Sequence, residues 1–81
     1  MDKYLFTKEL EETIERVNKN INEAIIIRKS ICKTIVEMTL NSEINDKYVK
    51  KVKKLFTAIE NLDKILVDYK LDLNKLNELK K

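Results

Sequence analysis

Few side chains in this chain are equipped for chemistry: a single cysteine, one arginine set in an apolar row, an aspartate behind a leucine, and a run of lysines. Histidine, the usual general base at neutral pH, is absent. Cys32 is the only cysteine, so no internal disulfide can form, and without histidine no zinc-type ligand set can be assembled. The chain has neither glycine nor proline, which removes the phosphate-cradling loop and the favoured tight β-turns. We therefore expect no cofactor, no metal and no catalytic residue.

Cys32 has Lys29 and Lys33 close by in sequence. Cationic neighbours can lower a thiol pKa, whereas an isolated cysteine beside an apolar seam more often serves as a small hydrophobe. Arg28 is the most unusual residue, a charge at a position where its neighbours in the pattern are Ile, Leu, Val and Ala. Its expected partner across a hairpin is Asp63 or Glu60, a pairing that would fix register or oligomer state more than it stabilises. Snorkelling to water and a functional contact are the other readings of Arg28. Lys47, Lys50, Lys51, Lys53 and Lys54 form the densest run of charge. Such a run is either a solvated helix face or a grip on a nucleic-acid backbone, and no row of aromatics accompanies it for base stacking.

The elements that must carry these residues are read from spacing. Tyr48, Val52, Leu55, Ile59, Leu62, Leu66, Tyr69, Leu73 and Leu76 follow one another in alternating steps of four and three, an unbroken heptad seam. Val52, Ile59, Leu66 and Leu73 take the a positions and the others d. Val49, Phe56, Ala58 and Ile65 flank the seam at e and g and widen it towards a bundle. The first half repeats the rhythm through Leu10, Ile14, Val17, Ile21, Ala24, Ile31, Ile35 and Met38, with Arg28 at an a position. The spacing predicts helices over 5–40 and 46–79 with a turn over 41–45. Asn45 is the expected N-cap, with Ile44 and Val49 at the staple positions. Glu9, Glu11 and Glu12 near one helix start, and Lys80 and Lys81 at the other helix end, are the charges expected to complement the helix dipoles.

The fold class is thus all-α: a single domain over 1–81, an antiparallel hairpin of two long helices that dimerises into a four-helix bundle or coiled coil. An 81-residue single layer barely offsets its chain entropy, so a second copy or a helical partner is the staple we expect. Ile25, Ile26 and Ile27 are consecutive and cannot all face one neighbour, which gives a second contact surface unless they reflect only codon usage rich in Ile, Lys and Asn. The expected interface comprises Ile25, Ile26, Ile27, Arg28, Phe56, Asp63 and Ile65. No signal peptide is visible at Met1-Asp2-Lys3 and the longest apolar run is Ala24 to Ile27, so a soluble, cytoplasmic protein without a membrane partner is expected.

The segment Leu62-Asp63-Lys64-Ile65-Leu66-Val67-Asp68-Tyr69-Lys70 resembles the Leu-Asp-x-x-x-x-x-Tyr signature of the short sporulation aspartyl-phosphate phosphatases. Those proteins are also helical hairpins, and Ile27-Arg28 is similar to the Ile/Leu-Arg pair of their first helix. Where that family has Ser-Gln-Glu before Leu-Asp, this chain has Ile59-Glu60-Asn61. The resemblance implies a functional Asp63 and a phosphorylated response regulator as target. Residue types alone favour a different role, a non-enzymatic protein-interaction module acting as adaptor, inhibitor or regulator through helical surfaces. A nucleic-acid-binding hairpin dimer using the lysine run is the remaining alternative.

Overall fold

The computed structural model describes residues 3–80. Two helices account for all of these except residues 42–45: α1, Lys3–Asn41, and α2, Asp46–Lys80. They lie antiparallel in a rod of 62 × 16 × 15 Å. The long dimension follows from length alone, since the 39 residues of α1 at 1.5 Å per residue span about 58 Å.

The heptad seam is the contact line. Every a and d position named above is buried or half-buried, and outside the seam only Thr13, Asn20, Cys32 and Ala58, all at e or g, are shielded to that degree. Ile21 and Ala24 of α1 pack with Leu66 of α2, and Val17, Leu62, Tyr69 and Leu73 close around them. A pair of helices has no second layer, so the shielding is thin. Among the described residues Leu10, Ile21, Ala24, Ile59 and Leu66 are the buried apolar ones, and no side chain is completely enclosed.

The turn uses the expected cap. The Tyr48 N–H donates to Asn45 Oδ1 at 2.9 Å, and the Val49 N–H donates to the Asn45 carbonyl at 2.9 Å, which starts α2. The staple positions hold the right residue types but bury little, since Ile44 stays 74% exposed. The Thr39 and Tyr48 hydroxyls are hydrogen-bonded across the turn. The Thr39 hydroxyl already donates to the Ile35 carbonyl, so Tyr48 is the donor.

One expectation is corrected. Helix α1 begins at Lys3, so its first turn holds no acidic residue, and Glu9, Glu11 and Glu12 lie too far along to complement its dipole. Helix α2 matches the preference, with Asp46 in its first turn and Lys80 in its last. Lys81, Met1 and Asp2 lie outside the described residues. Among the described residues no helix is long and apolar enough to cross a membrane.

Candidate functional site: the two flanks of the hairpin

A hairpin joined along one seam has two flanks, one made by the e positions of both helices and one by their g positions. The singled-out residues divide between them. On the e flank lie Ile25 and Cys32 of α1 with Val49, Phe56 and Asp63 of α2. On the g flank lie Ile27 of α1 with Ala58 and Ile65 of α2. Ile26 projects from the outer, f position and is 66% exposed. The seven residues expected to form one interface therefore occupy different sides of the rod, as successive helical residues turned about 100° apart must.

Arg28 reaches from its a position to the e flank, where Nε donates to Asp63 Oδ1 at 2.8 Å. Arg28 leans towards its own helix N-terminus, and antiparallel pairing puts α2 beyond Ile59 in that direction. Of the two partners expected from sequence, the structure selects Asp63. The pair is not buried: the side chains keep 42% and 49% of their surface in water. The hydrogen bond that Arg28 donates to Asp63, and then the Asp63 charge, hold the guanidinium above its ordinary pKa. Arg28 Nη1 also donates to Cys32 Sγ at 3.9 Å, one turn along α1. The thiol thus has a cation in contact at i,i+4 spacing, Arg28, although Lys29 and Lys33 are closer in sequence.

On the opposite flank, Ile27 and Ile65 line a shallow groove of about 190 Å³ with Asn20, Glu23, Ala24, Leu62 and Tyr69. Lys47, Lys50, Lys53 and Lys54 are exposed on the outer side of α2, and Lys51, also exposed, stands beside them at a g position. At the turn, a hollow of about 210 Å³ is bounded by Met38, Ser42, Glu43, Asn45, Lys47, Tyr48 and Lys51. Among the described residues no three side chains of metal-ligating type converge.

The surface holds more apolar material than the expected interface contained. Among the described residues fifteen large apolar side chains are exposed, including Val36 at 57%, Val49 at 39%, Phe56 at 51% and Val67 at 57%. Val36 and Val67 occupy b positions, next to e on the helix surface, and extend the apolar e flank outward. Their signal in the sequence was this b-to-e adjacency, which the a/d pattern does not display.

Comparison with known proteins adds no relative: no family model, curated protein or solved structure matches this chain.

Proposed function

We infer that the chain is a non-enzymatic protein–protein interaction module, an adaptor, inhibitor or regulator that acts through its helical flanks. The observation carrying this reading is the thin core: among the described residues five apolar side chains are buried, the rest of the seam is only half-buried, and fifteen large apolar side chains are exposed. Where such side chains adjoin, as Val36, Val49 and Phe56 do along the e flank, an exposed apolar strip is the usual mark of a contact area awaiting its partner. The partner surface is itself helical, because a straight rod offers ridges at three- and four-residue spacing for another helix to enter. The test is affinity capture with the tagged chain, run alongside Phe56→Lys and Ile65→Lys, one charge on each flank. A captured protein that reconstituted binding confirms as direct, and that one flank variant loses, supports the reading. Capture unaffected by either variant contradicts it.

A second reading is favoured by one specific observation. Ile27-Arg28 and Leu62-Asp63, the two pieces similar to the sporulation phosphatase signature, are brought to one level by the fold, with Arg28 and Asp63 bonded at 2.8 Å. In that reading Asp63 orients a water for in-line attack on a receiver's aspartyl phosphate, and the receiver carboxylate leaves as the phosphorus–oxygen bond breaks. Incubation with phosphorylated receiver domains separates the readings. Phosphate release that disappears in Asp63→Ala establishes the second, and no release supports the first.

A further inference from the structure

We propose that the e flank is the seat of a second copy of this chain, packed with both turns at the same end so that the pair forms a four-helix bundle. The proposal rests on the reading of the chain as an interaction hairpin and names the surface and the occupant.

Area is the first argument. The chain exposes 6750 Å², whereas a compact monomer of its 9.6 kDa exposes about 5,100 Å². The excess, about 1,600 Å², is larger than the roughly 800 Å² per partner that a standard interface removes. A second hairpin laid along one flank is a natural size for that surplus.

The choice of flank follows from composition. Of the two, the e flank carries the longer apolar stretch: Val36, Cys32 and Ile25 on α1, with Val49 and Phe56 on α2. The g flank of α1 instead presents Thr13, Asn20 and Thr34 around Ile27. Arg28 and Asp63 lie within the e flank but neutralise each other, so they bring no net charge to it.

Orientation follows from where the apolar stretch lies. Most of it occupies the half nearer the turn, while the far half of the same flank, apart from Val67 on its shoulder and Tyr4 at its end, carries Glu11, Asn18, Lys70 and Asn77. Full overlap with turns at opposite ends would set apolar on polar. With turns at the same end, apolar meets apolar, and α1 of one copy runs beside α2 of the other. The level of Arg28 with Asp63 then places Lys29 of one copy opposite Glu60 of its partner, both at b positions on the shoulder of the flank. Opposite charges there are self-complementary under a two-fold axis along the rod.

Sedimentation equilibrium on the intact chain, with circular dichroism on each sample, tests this. The wild type sediments as a dimer, Phe56→Lys raises the dissociation constant by about 100-fold because the change enters the interface twice, and Ile65→Lys on the other flank leaves it within about threefold. Should Phe56→Lys lose helix, the exposed charge pair decides: Lys29→Glu weakens the dimer, and Lys29→Glu with Glu60→Lys restores it. A helical wild-type monomer, a dimer indifferent to Phe56→Lys with helix retained, a larger loss in Ile65→Lys, or no rescue by the charge exchange overturns the proposal. A helical monomer that still captures a different protein through one flank would overturn this dimer and leave the interaction reading standing.

Discussion

At the scale of single residues, the Arg28–Asp63 pair is the most informative contact. Exposed ion pairs contribute little to stability, because water and salt screen them and two side chains must be held in place. Asp63→Ala is therefore expected to lower the melting temperature far less than Leu66→Ala, which removes buried methyl groups and costs about 2–3 kcal/mol. Arg28→Leu should keep or raise the melting temperature, since it replaces a charge in an apolar seam. In a double-mutant cycle, Asp63→Ala should cost less in the Arg28→Leu background than in the wild type, and strictly additive effects would show that the pair is not coupled in solution. The raised pKa of Arg28 has a defined sign: its contribution is complete below the unfolded-state value and is lost only as pH climbs through the folded one. Both lie far above neutrality, so the guanidinium imparts no pH dependence to stability between pH 5 and pH 9. The partnership was legible in the sequence because heptad position and the backward lean of a helical side chain pointed from Arg28 to Asp63. Its exposure was not, because a pattern of residue types does not say how many layers will cover a seam.

At the scale of elements, each helix is specified by its seam and the turn by one cap. Every a and d position read from the spacing is shielded, since steps of four and three keep a stripe on one face for as long as the helix runs. The start of α1 was less legible. The apolar rhythm begins at Leu10, and the turns before it, from Lys3 to Glu9, are helical yet exposed, with no buried or half-buried position to mark them. Start α2 without its cap and the first turn loses a side-chain acceptor: Asn45→Ala is expected to cost about 1 kcal/mol. Thermal unfolding should register this as a fall of about 4–8 °C. An unchanged melting temperature would mean the Tyr48 N–H finds an equivalent acceptor. The first turn of α1, which holds no acidic residue, offers the complementary change. Lys3→Glu places a negative charge near the positive helix end and should stabilise by about 0.3–1 kcal/mol at low salt, a gain that fades in high salt.

At the scale of the whole molecule, the rod has more apolar surface than its single seam can cover. Sequence reading located that surplus in Ile25, Ile26 and Ile27, which cannot all face one neighbour, without saying which flank each one joins. Three residues in a row point to three sides, and only the pairing of α1 with α2 reveals that Ile25 shares a flank with Phe56 while Ile27 shares one with Ile65. Thin shielding has a thermodynamic consequence. A hairpin that gains most of its remaining burial from a partner has a stability tied to protomer concentration. The measurement that bears most directly on this is thermal unfolding followed by circular dichroism at 222 nm over a hundredfold range of chain concentration. The account predicts a strongly helical signal and a melting temperature that climbs steadily with concentration. A melting temperature independent of concentration, with full helicity at the lowest concentration, would show the lone hairpin to be sufficient and contradict it.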